Sequence, residues 1–430
     1  MTSFVLKNAT LPDGAVTDIR IEDGMIVEVA TGLDADENID CSGLQALPGL
    51  VDLHTHLREP GYEQSETVLT GTQSAALGGF TAVHAMANTM PVADTAGVVE
   101  QVRSLGERAG YAEVFPIGAV TVGLDGKQLS EIGAMANSAA KVRVFSDDGK
   151  CVSDPLIMRR ALEYVKGFGG VIAQHSQEPR LTEGAQMNEG SLSATLGLTG
   201  WPAVAEESII ARDVLLAEHV GARLHICHLS TAGSVEIVRQ AKARGVQVTA
   251  EVTPHHLLLT EDLVTGYNAV FKVNPPLRTD EDVKALRAAL VDGTIDIIAT
   301  DHAPHPVEAK DCEWSAAAFG MVGLETAASV AQLVLIESGQ SNWKRLADVL
   351  SHAPARIGQD EEQGQPIAVG SVANLAFIDA KKTRTIEART GSKSVNNPYA
   401  EMQLPGVVVH TIFRGRFTVR DCQLVTGGDR

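Results

Sequence analysis

The sequence predicts an α/β protein: a (β/α)8 TIM-type barrel with a small β-sandwich domain formed by both chain ends. Two observations favour this fold class. Short apolar runs recur eight times between residues 49 and 300, and helix-length segments rich in Ala, Leu, Glu and Arg follow them, as in a parallel barrel. Short β-type runs also occupy the first 48 and the last 65 residues. We therefore expect the sandwich to comprise residues 1–48 and 366–430, and the barrel residues 49–365.

The predicted sandwich strands are punctuated by turn residues. In chain order these strands are residues 4–11, 15–21, 25–30, 373–378, 407–413 and 417–419. Pro12-Asp13-Gly14 and Asp23-Gly24 separate the first three, and Gly415 separates the last two. Residues 360–366, DEEQGQP, have the composition of an exposed linker out of the barrel.

The predicted barrel strands are the eight apolar runs. They are residues 49–57, 81–87, 113–120, 141–146, 170–175, 223–229, 247–252 and 296–300. Each is short and nearly continuously apolar, as expected for a parallel strand that is covered on both faces.

Composition and charge narrow the function classes. The chain has 54 acidic and 35 basic residues, a formal net charge of −19, which excludes a generally basic nucleic-acid or anionic-membrane binder. No run approaches the roughly 18 apolar residues of a membrane span, and the first residues lack a signal-peptide pattern. Five scattered cysteines without C-x-x-C spacing indicate reduced thiols. We expect a soluble, cytoplasmic protein.

Candidate metal ligands gather at the C-terminal ends of the predicted strands, where barrel active sites are built. The side chains at these ends are His54, His56, Asp147, Asp148, His175, His228 and Asp301. Alternate residues of a strand share a face, so His54 and His56 point inward together. Asp147 and Asp148 face opposite ways, so only one of them can reach the site, and parity alone does not choose between them. Imidazole and carboxylate ligands suit zinc best.

Several other histidines and cysteines are interpreted as structural. His225 and His302 alternate away from the predicted ligands, and His84 lies in the middle of a strand. The remaining residues of this kind are His219 on a polar helix, His255 and His256 after strand seven, and the free thiols Cys151 and Cys312.

Four motifs together resemble the dihydroorotases of the amidohydrolase superfamily. They are HLREPG from His56, ANTMP from Ala87, NPPLR from Asn274 and TDHAPH from Thr300, and the segment from Phe319 to Thr326 also fits. The resemblance runs almost from end to end and includes the split β-sandwich.

The resemblance implies a binuclear metal centre. It implies that His54, His56 and Asp301 bind one ion and that His175 and His228 bind the other. Hydantoinases, allantoinases and one class of dihydroorotase bridge the ions with a carboxylated lysine on strand four, but this strand ends without a lysine, and Lys150 lies beyond it in the loop. The chain is therefore similar to the longer bacterial class, in which an aspartate bridges, and this similarity selects Asp148. We expect two zinc ions per subunit, bridged by hydroxide.

The implied reaction is the reversible cyclisation of N-carbamoyl-L-aspartate to dihydroorotate and water in pyrimidine (UMP) biosynthesis. In the hydrolytic direction, the bridging hydroxide attacks the ring amide, and Asp301 takes its proton and passes it to the leaving nitrogen. Arg58, two residues after His56, is expected to clamp the substrate carboxylate, unless it pairs with Glu59 or Glu63 at the rim. The other substrate contacts implied by the resemblance are Asn88, Asn274, His305, Phe319 and Gly320. Residues 304–320 form a long polar loop of the kind that covers active sites.

Two alternatives remain at this stage. Another cyclic amidase, an allantoinase or a hydantoinase, is disfavoured by the missing strand-four lysine and by Arg58, because neutral hydantoins offer no carboxylate. A dihydroorotase-like scaffold of aspartate transcarbamoylase without activity is disfavoured because all six ligand positions are filled. The expected partners are the small anionic substrate and a second copy of the chain in a homodimer. Association with aspartate transcarbamoylase is a further expectation from the resemblance.

Overall fold

The computed structural model describes residues 3–425. The strands are β1 (Ser3–Thr10), β2 (Val16–Glu22), β3 (Met25–Ala30), β4 (Asn38–Asp40), β5 (Gln45–Pro48), β6 (Leu50–Thr55), β7 (Phe80–Ala85), β8 (Glu113–Pro116), β9 (Val144–Phe145), β10 (Val171–Gln174), β11 (Met187–Asn188), β12 (Gly200–Trp201), β13 (Arg223–Ile226), β14 (Val248–Val252), β15 (Ile297–Ile298), β16 (Leu375–Thr385), β17 (Gln403–Phe413), β18 (Arg416–Arg420) and β19 (Gln423–Leu424).

Helices connect most of these strands. The α-helices are α1 (Val68–Leu77), α2 (Ala96–Ala109), α3 (Ile132–Asn137), α4 (Pro155–Lys166), α5 (Ser191–Leu196), α6 (Val204–Val220), α7 (Ala232–Ala243), α8 (Pro254–Leu258), α9 (Asp280–Asp292), α10 (Val307–Lys310), α11 (Ala327–Ala331), α12 (Trp343–Ala347) and α13 (Ala353–Gly358). The 3-10 segments are Val122–Leu124, Glu261–Gly266 and Ala269–Phe271, and the π-helical segments are Gln332–Glu337 and Asp348–His352. No helix between residues 3 and 425 combines the length and the apolarity needed to cross a membrane.

Strands from both chain ends join one mixed sheet of nine strands. Its order is β19-β18-β17-β16-β5-β1-β2-β3, with β4 paired to β1. The two ends of the chain meet where β5 pairs antiparallel with β16, Pro48 lying opposite Leu375. Buried side chains that include Leu6, Ile19 and Phe377 form the core of this sheet region. The sequence pattern did not reveal β4, β5 or β19, because runs of two to four residues carry too little alternation.

The middle of the chain forms eight parallel strands in sequential order. One parallel sheet contains β6, β7 and β8, and another contains β9, β10, β13, β14 and β15. Two isolated parallel bridges, Gly118 with Phe145 and Thr55 with His302, connect the edges of the two sheets. We call these eight strands the strand ring. Its interior is filled by apolar side chains such as Leu53, Val171 and Ile297.

The ring strands are shorter than the apolar runs predicted. β9 and β15 contain only two residues each, whereas the corresponding runs contain five or six. The backbone leaves the extended conformation at the strand ends: His228 and Asp301 have φ of 33° and 45°. These left-handed residues redirect the chain after β13 and β15.

The segment 360–366 is not simply an exposed linker, so that part of the sequence interpretation was wrong. Asp360 and Gln363 are buried, because they hold polar groups of β7 at the base of the ring. His84 Nε2–H donates to Asp360 (2.9 Å), and Thr81 donates to Gln363 (2.8 Å). The polar side chains of this segment therefore accept hydrogen bonds from buried donors of β7.

Candidate metal and substrate site

A cavity of about 250 Å3 lies at the C-terminal ends of the ring strands. Its walls are formed by His56, Arg58, Asn88, Asp148, Gly149, His175, Asn274, Asp301, Ala303, His305, Phe319 and Gly320. A larger cavity of about 850 Å3 surrounds His84 and Asp360. Among the described residues, the three clusters with metal-ligating geometry do not include residues of that larger cavity, so the smaller one is the candidate for chemistry.

The first cluster contains His54, His56, Asp148 and Asp301. The Nε2 atoms of His54 and His56 lie 3.4 and 3.2 Å from one Asp148 oxygen, Oδ2. They also lie 3.4 and 3.1 Å from Asp301 Oδ1. Two imidazole nitrogens and two carboxylate oxygens thus face one another in a buried space.

The second cluster contains His175, His228 and the same Asp148. His175 Nδ1 and His228 Nε2 lie 3.1 and 3.3 Å from Asp148 Oδ1, and 2.9 Å from each other. Each oxygen of Asp148 therefore faces a different cluster, which is the placement that a bridging carboxylate requires.

The outer nitrogens of three imidazoles show that these clusters fit a cation. Nδ1–H of His54 donates to Glu251 (2.6 Å), Nδ1–H of His56 donates to Asn88 (2.9 Å), and Nε2–H of His175 donates to Gln177 (2.8 Å). In a neutral ring the inner nitrogen then carries a lone pair, and it faces carboxylate oxygens. His54 Nε2 is buried without a hydrogen-bond partner. Lone pairs and carboxylates converge favourably only around positive charge, so the residues fit a metal ion.

The titration behaviour of the clusters also favours positive charge. Burial opposes ionisation of Asp148, but His54 and hydrogen bonds from His175 and His228 bring its pKa well below the usual value. Burial likewise opposes protonation of His54, yet Asp148, Glu251 and Asp301 raise its pKa well above the usual value. Despite its burial, the pKa of Asp301 is lowered to about 2, mainly by His54 and His56.

The structure separates the two neighbouring aspartates that parity left open. Asp147 points away from the cavity and accepts hydrogen bonds from the backbone N–H groups of Val120 (2.8 Å) and Thr121 (3.0 Å). Asp148 alone reaches the clusters. The Lys150 side chain is 57% exposed and its Nζ lies 3.9 Å from Asp125, so it extends into solvent.

Arg58 lines the cavity from a loop and not from a strand. β6 ends at Thr55, and Arg58 lies in the following loop with a left-handed φ of 63°. Its Nε–H donates to the carbonyl of Pro304 (3.1 Å). Among residues 3–425 no ion pair joins Arg58 to Glu59 or Glu63. Burial lowers the pKa of Arg58 to about 10, so it stays charged at neutral pH.

Two asparagines of the cavity have partners that the sequence did not indicate. Asn88 accepts from His56, so its amide N–H groups remain available on the cavity side. Asn274 donates to Gln177 Oε1 (3.2 Å), while its own Oδ1 is buried without a partner. Gln177 thereby connects a cavity residue to the ligand candidate His175.

His305, Phe319 and Gly320 form one wall. His305 Nε2–H donates to the Phe319 carbonyl (2.7 Å). Gly320 has φ of 140°, and a Cβ there would lie 2.8 Å from His305 Nε2 and 2.9 Å from Ala303 Cβ. A glycine is therefore required for this wall to close on the loop.

The histidines interpreted as structural lie outside the two clusters described above, and among them His255 has a buried Nε2 without a hydrogen-bond partner. His225 bonds Thr249 and Glu251, His302 accepts from the Gly323 N–H, and His219 is exposed. All five cysteines are free. Sequence reasoning missed Glu251 and Gln177, and also Cys227, whose sulfur lies near His54 and Glu251. A glutamate inside an apolar strand is the only signal that could have drawn attention to Glu251.

The sequence comparisons with known proteins indicate one family. A family model described as "Dihydro-orotase-like" matches residues 43–234. A protein of Leifsonia xyli named dihydroorotase is 68% identical over 424 residues, covering 97% of this chain and 96% of that protein. Another from Streptomyces coelicolor is 63% identical, covering 99% of this chain and 100% of that protein. The solved structure of an L-hydantoinase (dihydropyrimidinase) from Arthrobacter aurescens superposes with a TM-score of 0.87 at 25% identity, over 99% of this chain and 98% of that one.

Proposed function

The chain belongs to the dihydroorotase family, and from that premise we propose that it interconverts N-carbamoyl-L-aspartate and (S)-dihydroorotate plus water, a step of pyrimidine biosynthesis. The observation that carries this proposal is the position of Asp148. Its two oxygens face two groups of imidazoles, beside a cavity whose wall contains the arginine Arg58. A cyclic amide with a carboxylate substituent fits both features.

We propose two divalent ions, zinc by the chemistry of the donors, as cofactors. His54, His56 and Asp301 would hold one, His175 and His228 the other, and Asp148 would lie between them. Bound ions would supply Lewis acidity, which polarises the amide carbonyl and makes water a stronger acid at neutral pH.

The protein's own residues would move the protons. Asp301 has a pKa of about 2 and is ionised at neutral pH, so it can accept a proton from the attacking water. It can then deliver that proton to the ring nitrogen as the amide bond breaks. In the biosynthetic direction the same carboxylate takes the proton from the attacking nitrogen and returns it to the departing oxygen.

Substrate orientation follows from charge and hydrogen bonding. The Arg58 guanidinium and the Asn88 amide would bind the carboxylate that does not react, and His305 would line the cavity beside them. Asn274 Oδ1 lacks a partner and would accept from a ring N–H. Phe319 and Gly320 would form the wall against the ring.

The wider architecture is part of the same proposal. We infer that the strand ring is a (β/α)8 barrel spanning residues 49–365, beside a sandwich domain of residues 1–48 and 366–430. A homodimer, an association with aspartate transcarbamoylase and a cytoplasmic location are proposed from family resemblance.

The hydantoinase and scaffold alternatives make different predictions about substrate and metal. A hydantoinase would not need Arg58, because its substrates are neutral, and the strand-four end lacks the lysine that such enzymes carboxylate. A scaffold would not need six converging ligand residues.

The decisive experiment compares neighbouring aspartates. We expect wild type purified without chelator to contain more than one equivalent of metal and to hydrolyse dihydroorotate. Its intact mass should show no carboxylated lysine. Asp148→Asn should lose both metal and activity. Asp147→Asn is the matched control, and it should lower thermal stability but retain metal, because Asp147 bonds only a neighbouring loop. Equal metal content and activity in both variants would contradict the proposal.

A further inference from the structure

A buried carboxylate on β14 contacts both clusters from behind. Glu251 is 1% exposed, and it does not line the substrate cavity. Its Oε1 accepts from His54 Nδ1–H (2.6 Å) and from the backbone N–H of His228 (3.1 Å). One oxygen therefore contacts a residue of each cluster.

The second oxygen of Glu251 is held by a histidine outside the clusters. His225 Nε2–H donates to Oε2 (3.0 Å), and His225 Nδ1 is bonded to Thr249 Oγ1 (2.8 Å). Thr249 and Glu251 are two residues apart and share one face of β14, so this strand supplies the partners of both His225 nitrogens. His225 is itself fully buried.

A buried carboxylate is costly to keep unless donors satisfy it. All of the donors described above come from the elements that carry the ligand candidates, and two of them belong to ligand residues themselves. The hydrogen bond at His54 Nδ1 also fixes which nitrogen of that ring carries the proton. Nε2 is thereby left to face Asp148 and Asp301.

We propose that Glu251, supported by His225, is a positioning residue for the metal centre. It sets the tautomer and the ring orientation of His54, and it fixes the backbone of His228, so that one carboxylate aligns ligands of both ions. The inference rests on the proposed function, because it requires that metal binds at these clusters. Carboxylates behind metal-bound imidazoles typically contribute 10–100-fold in metal affinity or activity.

The test measures metal binding directly in Glu251→Gln. The amide keeps the shape but lacks the charge, and its N–H2 group cannot accept from His225. We expect zinc affinity, measured by competition with a chelating dye, to fall about 10–100-fold. We also expect the visible absorption bands of the cobalt-substituted protein to shift, because the His54 imidazole loses its negatively charged acceptor and becomes a weaker donor to the metal. KM for dihydroorotate should stay unchanged, because Glu251 does not line the cavity.

Asp360→Asn is the matched control. It weakens another buried contact between a carboxylate and a histidine, that of Asp360 with His84, outside the clusters. It should lower the melting temperature while zinc affinity and the cobalt spectrum stay as in wild type. His225→Gln should weaken zinc binding less than Glu251→Gln, and the double variant should be no weaker than Glu251→Gln alone, since both changes act through one contact.

The outcomes separate this inference from the proposed function. Wild-type zinc affinity and an unchanged cobalt spectrum in folded Glu251→Gln would overturn the positioning role and leave the proposed function standing. If Glu251→Gln does not fold, an unchanged zinc affinity in His225→Gln overturns it instead. A wild type that binds neither zinc nor cobalt would overturn both.

Discussion

Asp148 has the most demanding position of any single residue in the site, because each of its oxygens faces a different pair of imidazoles. The adjacent Asp147 has the same chemistry but bonds backbone N–H groups of a neighbouring loop. A shift of one residue along the chain therefore separates an aspartate that faces the clusters from one that supports a loop. The arginine of the cavity, Arg58, lies near both clusters and can be tested separately from them.

Arg58→Met should separate substrate selection from metal binding. Removing one partner of a charged, hydrogen-bonded contact costs about 2–5 kcal/mol, most of it from the unpaired charge that remains. We therefore expect kcat/KM for dihydroorotate to fall roughly thirtyfold to several thousandfold, with metal content unchanged. Steady-state kinetics together with elemental analysis measure both quantities.

A neutral substrate provides the control for Arg58. Dihydrouracil has the same ring without the carboxylate, so it should be a poor substrate for wild type, and Arg58→Met should not make it much worse. Hydrolysis of dihydrouracil by wild type at the rate of dihydroorotate would leave Arg58 without a selective role and would favour the hydantoinase alternative.

Asp301→Asn should lower kcat rather than substrate affinity. The amide cannot accept and return the proton, and general acid–base groups typically contribute about 10²–10⁴-fold to the rate. The expected effect is a kcat loss of at least about 100-fold with a much smaller change in KM. A variant that retained wild-type kcat would exclude Asp301 as the proton carrier.

The sequence located the candidate ligands because strand parity and strand ends are local properties. His54 and His56 could be paired from their spacing, and the structure brings them together with Asp148 and Asp301. Glu251 and Gln177 could not be found in this way. Their partners lie 197 and 97 residues away in Glu251–His54 and Gln177–Asn274, and only the folded arrangement brings these side chains together.

At the scale of elements, the loop of residues 304–320 is held by two buried lysines. Lys310 Nζ donates to the carbonyls of Ala269 (3.0 Å), Lys272 (2.9 Å) and Ala318 (2.7 Å). Lys272 Nζ donates to the Trp314 carbonyl (2.6 Å) and lies 4.6 Å from the centre of the Phe319 ring. The cavity wall therefore depends on lysine amino groups that do not touch the cavity.

Lys310→Met should loosen this loop. Three carbonyl groups lose their donor, and each unsatisfied buried group costs about 1–3 kcal/mol. If about 1.4 kcal/mol of that loss destabilises the loop conformation that forms the cavity wall, KM for dihydroorotate rises about tenfold while metal content stays constant. Lys150→Met, which removes an exposed lysine near the cavity, is the control and should leave KM unchanged. Equal KM values in the two variants would contradict a role of Lys310 in the loop.

The same lysine should make stability depend on pH. Burial, followed by the charge of Lys272, lowers the pKa of Lys310 to about 7 from its usual 10.5. Between these two values the unfolded chain binds the proton and the folded protein does not, so wild type gains stability as pH rises. The difference in unfolding free energy between wild type and Lys310→Met should therefore shift in favour of wild type from about pH 7 to pH 10. Denaturant titrations across that range measure the slope, and a flat difference would contradict it.

The order of the ring strands was predictable from the sequence, but their lengths were not. The eight apolar runs correspond to the eight strands of the ring, because apolar runs separated by helix-length segments are visible in the sequence. β13 ends before His228, which adopts a left-handed backbone angle, a conformation that the residue type does not announce. Residues 360–366 were misread because their burial depends on partners in β7.

For the whole molecule, the candidate metal centre is the place where distant strands meet. The ligand candidates follow or end β6, β9, β10, β13 and β15, and they lie between residues 54 and 301 of the chain. Buried carboxylates and imidazoles lie only 3.1–3.4 Å apart in this site, a spacing that a cation between them would stabilise. Bound ions would therefore stabilise the ring as well as serve the reaction.

Removing the metal should lower the melting temperature of the protein. A ligand at 100 times its Kd stabilises the folded state by about 2.7 kcal/mol. With an unfolding entropy of about 2.1 cal/mol/K per residue, this corresponds to about 3 °C for each ion lost from a chain of this length. Calorimetry with and without dipicolinate, at one scan rate because large proteins often unfold irreversibly, measures the shift. Asp148→Asn should melt at the same temperature with and without the chelator, because its clusters lack the carboxylate that both share. An equal shift in wild type and Asp148→Asn would mean that the chelator acts elsewhere, and the stabilising role of the metal centre would be contradicted.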